Sequence, residues 1–247
     1  MCGRFAIAPT REDAWASVGD ILGAHIESEL TALKTRYNIA PTMQVPIILQ
    51  DAVTREIHAI NARWGFIPHW WSKDKLPTMT INARSEEMSS KPMWRQALKH
   101  SRCLIPATHW YEWGEMTPEN SPHALTRPDG KGFMFAGLWS KWTPPHEGAQ
   151  QIVSCAILTR AASESAAKVH DRMPVILRPE AWTRWLDPEI KDSEVVKEIL
   201  AVSSALEVRS WKVSKLVNKA ANQESGCLSP AQRILIAISA NQNKTQT

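Results

Sequence analysis

The chain has no apolar run near the roughly 18 residues that a membrane-spanning helix needs. None of its four cysteines, Cys2, Cys103, Cys155 and Cys227, forms a C-x-x-C pair, which argues against a zinc ribbon or a dithiol redox site. No basic region followed by an apolar stretch opens the sequence, so no secretory leader is expected, and a reducing cytoplasm is the expected compartment. No internal repeat or long linker divides the 247 residues, and the regular strand–helix alternation of a parallel sheet is missing. Tyrosine and phenylalanine are scarce, at two and four, against twelve tryptophans. Positive charge is not abundant either: a net charge of +4 admits an anionic partner without requiring one.

What is present reads as one globular domain. A hydrophobic fraction of 43% is ordinary for a packed core. Residues 11–33 carry Ala14, Trp15, Val18, Ile21, Leu22 and Ile26 near helical spacing. Residues 45–49, 57–67, 102–105, 133–139, 151–158 and 208–213 read as strands. Short helices are expected from Pro92, over 162–169, 180–186 and 193–203, and beginning at Ser85 with Glu86 and Glu87 behind it. Residues 69–80 read as a long surface loop, and the Pro-rich stretch 118–130 as a loop or hairpin connection. The fold class is therefore α+β: a single domain with a central, largely antiparallel β-sheet or barrel flanked by short helices. Cys103 and Cys155 sit in apolar runs and are expected to be buried. About half of the tryptophans are expected in the core, the rest being available to stack on bases.

Cys2 carries the most chemistry. If Met1 is trimmed, one residue holds a thiol and a free α-amine on adjacent carbons, both titrating near pH 8. The amine attacks an aldehyde to give a Schiff base, and the thiol closes a five-membered thiazolidine, which no internal residue can do. Four further segments offer polar groups. In Thr80-Ile81-Asn82-Ala83-Arg84-Ser85-Glu86, an extended backbone projects Asn82 and Arg84 from one face; a surface strand end with a capping serine fits equally. Glu112, within Trp110-Tyr111-Glu112-Trp113, is a carboxylate among aromatics, suited to proton shuttling if it is desolvated. His170 and Arg172, in His170-Asp171-Arg172-Met173-Pro174, offer an acid/base and a phosphate fork, or a structural pair. Asn38, ahead of Pro41, either presents its amide to a phosphate or forms an Asx-turn.

In order along the chain, Met-Cys-Gly-Arg-Phe at the start, 36–41, Trp64-Gly65-Phe66-Ile67-Pro68, 80–86, 103–107 with Tyr111-Glu112-Trp113, Ala136-Gly137-Leu138-Trp139, 170–174, Val213-Ser214 and Val217-Asn218 resemble the SRAP family of abasic-site processing proteins. The resemblance covers 2–228. The extension 229–247, with Arg233-Ile234-Leu235-Ile236, falls outside it and is expected to be partly disordered.

The resemblance implies a DNA-repair protein that cross-links itself to abasic sites in single-stranded DNA, with AP-lyase and Met1-removing peptidase activity through the same centre. It implies catalytic roles for Cys2, Asn82, Glu112 and His170. It implies strand contacts by Arg4, Asn38, Arg84 and Arg172 to phosphates and by Trp70 and Trp71 to bases. No cofactor, metal or membrane is implied, and a cytoplasmic monomer, nucleoid-associated during repair in a bacterium, is expected. Two other readings compete: an N-terminal-nucleophile cysteine hydrolase and a non-covalent strand binder. One departure stands out. The family carries a small residue where this chain has His109, so a left-handed backbone there would be strained, and a second imidazole would lie near the site.

Overall fold

The computed structural model describes residues 2–231 apart from 74, 79, 115–119 and 203–206. The strands in chain order are β1 (Arg4–Ile7), β2 (Arg36–Ile39), β3 (Gln44–Gln50), β4 (Ile57–Trp64), β5 (Asn82–Arg84), β6 (Arg102–Ala107) and β7 (His109–Trp113). They continue as β8 (Pro122–Thr126), β9 (Phe133–Trp142), β10 (Ile152–Ala161), β11 (Arg172–Pro174), β12 (Ile176–Leu177) and β13 (Arg209–Lys212). The α-helices are short: α1 (Ala16–Leu22), α2 (Ala24–Thr31), α3 (Pro92–His100), α4 (Glu164–Ala167), α5 (Trp182–Leu186) and α6 (Ser193–Ala201).

Five of the strands close a ring. Antiparallel pairs join β4 to β3, β3 to β6, β6 to β9 and β9 to β10, and β10 returns to β4 in parallel, with Cys155 opposite Trp64. Closure pairs the edges that an open sheet would leave exposed. A second, wholly antiparallel sheet runs β13-β8-β7-β1-β2. Phe5 of β1 joins the two layers, edge-on to Trp64 at 5.1 Å and to Phe135 at 5.8 Å between ring centroids. The next residue along, Ala6, faces the other way into a smaller cluster with Tyr111, Val213, Val217 and Cys227. Seven tryptophans (Trp15, Trp64, Trp94, Trp110, Trp142, Trp182 and Trp185) are buried, so most of the indole surplus fills core rather than a stacking surface.

The ring has one interruption. β4 leaves β10 at Gly65, whose φ of +140° favours glycine. The chain then makes a surface excursion and returns as β5, again parallel to β10, with Asn82 opposite Ile157. The excursion is pinched at its base, where Phe66 N–H donates to Thr80 O at 3.1 Å and Ile67 N–H to Ser154 Oγ at 2.9 Å. It is an Ω-type loop held by the barrel wall.

The expected helix over 11–33 is instead two helices broken at Gly23 (φ +106°). The helix expected from Ser85 is a set of turns: Glu87 N–H returns to Arg84 O at 3.0 Å and Ser90 N–H to Glu87 O at 3.2 Å, while Ser85 N–H is tied to Thr159 O of β10 at 2.8 Å. β8 occupies part of the stretch read as a loop. Cys103 and Cys155 are fully buried as expected. The first residues of the supposed extension stay in the fold, with Pro230 bridging Val213; 232–247, with the apolar segment from Arg233, and Met1 lie outside the described residues.

Candidate active site

Cys2 lies just before β1, fully buried. Asn82, at the start of β5, reaches it: Asn82 Nδ2 donates to the Cys2 carbonyl at 2.9 Å. The other amide atom, Oδ1, is buried with no hydrogen-bond partner, so an acceptor stands ready beside the cysteine. Glu112 comes from β7, which pairs with β1 (Arg4 opposite Tyr111), and is almost wholly buried. Burial pushes the Cys2 thiol well above its ordinary pKa, and the Glu112 carboxylate pushes it further. The thiol is therefore neutral near pH 7.

His170 follows α4 and is mostly buried. Its Nδ1 lies 2.9 Å from the Arg172 backbone N–H and 2.9 Å from the Asp171 carboxylate. One lone pair accepting from the amide leaves no proton on Nδ1, so the neutral ring carries its proton on Nε2, and the contact with exposed Asp171 is not an ion pair in that form. The Arg172 side chain is forked onto Glu86, Nη1 to Oε1 at 2.7 Å and Nη2 to Oε2 at 3.0 Å, with Nη2 also 3.3 Å from Thr159 Oγ1. The guanidinium holds Glu86 down at a pKa of about 2. Registers place Arg84 opposite Thr159 and Arg172 opposite Ala161. Paired residues share a face, so Asn82, Arg84, Thr159 and Arg172 stand on one side of the sheet. Arg84 is exposed, 3.6 Å from Glu87.

Arg4 and Asn38 are brought together, but toward the interior. Arg4 Nη1 donates to Asn38 Oδ1 at 2.8 Å and to Val217 O at 2.7 Å. Asn38 Nδ2 faces the carbonyls of Val217, Lys219 and Asn222 at 2.9–3.1 Å. Asn38 is fully buried in β2 with its amide engaged on both sides, so the expected presentation of that amide to a phosphate is corrected to a staple of the 215–222 segment. Trp113 Nε1 adds a bond to Asn218 Oδ1 at 2.9 Å. Trp70 and Trp71 sit on the Ω-type loop with ring centroids 6.3 Å apart; Trp70 is 48% exposed, while Trp71 is tied by Nε1 to Lys75 O at 3.1 Å.

His109 adopts ordinary extended backbone opposite Ala6, so no left-handed strain arises. It lies three residues from Glu112 on one strand and so faces away from it. Its ring is buried edge-on to Trp211 at 5.7 Å. The feared second imidazole is absent from the site. Sequence reasoning also missed Glu86 and Thr159 as partners of Arg172, because Glu86 reads locally as the acidic first turn of a helix and Arg172 lies 86 positions away.

Cys2 held by an amide, with a buried carboxylate acting on its thiol, on a barrel-and-sheet scaffold, defines a cysteine-centred site. Residues 1–220 match the family described as SOS response associated peptidase (SRAP), and the chain belongs to that family. It is 34% identical over 225 residues to abasic site processing protein YoqW of Bacillus subtilis, covering 90% of this chain and 96% of that one. It is 31% identical to abasic site processing protein YedK of Escherichia coli, covering 93% and 100%. A crystal structure of a protein from Bacteroides thetaiotaomicron shares the fold, with a TM-score of 0.73 at 20% identity over 92% of this chain and all of that one.

Proposed function

We propose that this protein processes abasic sites in DNA by covalent capture: Cys2, freed of Met1, joins the ring-opened sugar of an abasic site in a single strand through a thiazolidine. The observation that carries the reading is the Asn82–Cys2 hydrogen bond beside a buried Glu112. The open sugar is an aldehyde at C1′. His170, with its proton on Nε2, donates to the ring oxygen as the sugar opens. The Cys2 amine adds to C1′ to give a carbinolamine. Glu112 takes the remaining carbinolamine N–H proton and passes it to the hydroxyl, which leaves as water, and an imine forms. The thiol then adds: sulfur bonds to C1′, the C=N electron pair moves to nitrogen, and nitrogen takes the thiol proton. The net change is loss of one water. Asn82 holds the Cys2 carbonyl, and its spare Oδ1 accepts from the amine or a sugar hydroxyl. Arg84 and Arg172 meet flanking phosphates, and Trp70 and Trp71 meet bases. β-Elimination from the imine would give lyase activity where thiol closure is slow.

The raised thiol pKa favours this order over the hydrolase alternative. A hydrolase needs the thiolate as first nucleophile; here the amine attacks first and the thiol follows as S–H. The test is intact mass after mixing with a short single-stranded oligonucleotide carrying one abasic site. A heat-stable adduct equal to protein lacking Met1 plus DNA minus one water is expected without borohydride. Cys2→Ala gives none, and Cys2→Ser gives only a borohydride-trapped species. A stable adduct with Cys2→Ala would sink the reading.

A further inference from the structure

The Arg172 guanidinium, expected to meet a DNA phosphate, is already occupied. Its two Nη atoms are taken by the two oxygens of Glu86 at 2.7 and 3.0 Å, and its Nε is buried without a hydrogen-bond partner. The Arg172 side chain is 15% exposed and that of Glu86 49%, so the carboxylate stands between the guanidinium and solvent. A carboxylate and a phosphate offer the same pair of oxygens to this fork. A phosphate approaching Arg172 from solvent therefore meets Glu86 first.

Glu86 also has somewhere to go. It borders a cleft of about 270 Å³ lined by Arg160 and Lys197. Among the described residues the Arg160 side chain makes no hydrogen bond or ion pair, and the Lys197 side chain is held only by Glu194 at 2.8 Å. A displaced carboxylate would face cations rather than bare solvent. Its release from Arg172 is set by competition rather than by protonation, since its pKa of about 2 keeps it ionised at any working pH.

We infer that Glu86 is a specificity-determining residue: its carboxylate occupies the phosphate position on Arg172 and must be displaced by the strand, which lowers affinity for undamaged DNA. This rests on the strand-binding reading above. Its consequence is that a single strand is held loosely while it is surveyed, and commitment comes from the covalent step at Cys2. A weak grip on intact DNA leaves the protein free to leave sites that hold no aldehyde.

The test is the affinity of a short fluorescein-labelled oligothymidylate for Glu86→Gln, measured by anisotropy across a salt series, with covalent yield on an abasic oligonucleotide read separately. Glutamine keeps a hydrogen bond to Arg172 but gives up the charge. The variant should bind undamaged strand several-fold more tightly, with the slope of log K against log salt steeper by about 0.7, one additional phosphate contact on a single strand. Arg172→Gln should abolish that gain in the double variant, and Glu29→Gln, an exposed carboxylate on α2, should not reproduce it. Unchanged or weaker binding by a Glu86→Gln protein with an unaltered melting temperature overturns the inference. So does a gain that survives Arg172→Gln. If the wild type neither binds the strand nor forms an adduct, the strand-binding reading itself fails; if it forms the adduct and Glu86→Gln shows no gain, only the inference does.

Discussion

At the scale of single residues, burial sets the chemistry. The Cys2 thiol is kept protonated by desolvation before any charge acts on it, and His109 is kept neutral the same way, with its pKa lowered to about 4. The second case has a direct consequence for stability. In the unfolded chain His109 protonates below about pH 6.5, while in the fold it stays neutral until about 4. Stability is therefore unaffected above 6.5, falls as pH drops from 6.5 to 4, and levels off below, by an amount on the order of 3 kcal/mol. His109→Phe keeps the edge-on contact with Trp211, and Thr108 Oγ1 keeps its bonds to Ala8 N–H and Ala6 O. Urea midpoints measured from pH 7 to 4 should fall less steeply in that variant than in wild type. An equal fall would place the acid sensitivity elsewhere. Glu86 titrates in a separate, lower window, between 4.5 and about 2, and being half exposed contributes little.

At the scale of elements, the Ω-type loop is pinned at its base and carries Trp70 outward, while the 215–222 segment is stapled by Arg4, Asn38 and Trp113. Trp70 is half exposed on that loop, so Trp70→Ala should leave the melting temperature nearly unchanged and weaken undamaged single-strand binding by about 1–3 kcal/mol, the worth of one stacked base. Anisotropy with a labelled oligonucleotide checks both the loss and its independence of sequence. Which elements could be read in advance follows from what holds them. β3, β6, β9 and β10 are apolar runs that the ring buries on both faces, and α3 has Pro92 at its first turn with Trp94, Ala97 and Leu98 on one side. Those signals are local. β8 was hidden because Pro122 and His123 look like loop, and only pairing with β7 and β13 makes them strand. The turn after Arg84 has the Ser-Glu-Glu signature of a helix start, but its amides return to Arg84 O and Glu87 O in separate turns. At the candidate site, chemistry alone singles out Cys2, Asn82 and Glu112 in the sequence, and the fold brings Asn82 onto the Cys2 carbonyl and buries Glu112. Asn38 was misassigned because its partners, the carbonyls of Val217, Lys219 and Asn222, lie about 180 positions away.

At the scale of the whole molecule, one buried cation ties the helices to the ring. Arg102 of β6 is 5% exposed, and its guanidinium donates to the carbonyls of Leu98 and Lys99 at the end of α3 and of Trp185 and Asp187 around the end of α5. It also lies over the Trp185 ring at 5.7 Å. These carbonyls are ones a helix end leaves unpaired. Burial lowers the pKa of Arg102 to about 10, which still leaves it charged at neutral pH. A lysine cannot present the same planar fork. Arg102→Lys should lower stability by about 1–3 kcal/mol per abandoned buried carbonyl, read as a drop of several degrees in the thermal midpoint. An unchanged midpoint would show that the fork is dispensable. The break in the ring between β4 and β5 has a further reach. Both flanks of the gap are pinned to β10 on their own account, so the chain between them can be lengthened, shortened or exchanged without shifting the register of either. The strand contacts proposed for Trp70 and Trp71 can thus be redesigned by transplanting that one stretch, while Asn82 and the cysteine it steadies stay where they are.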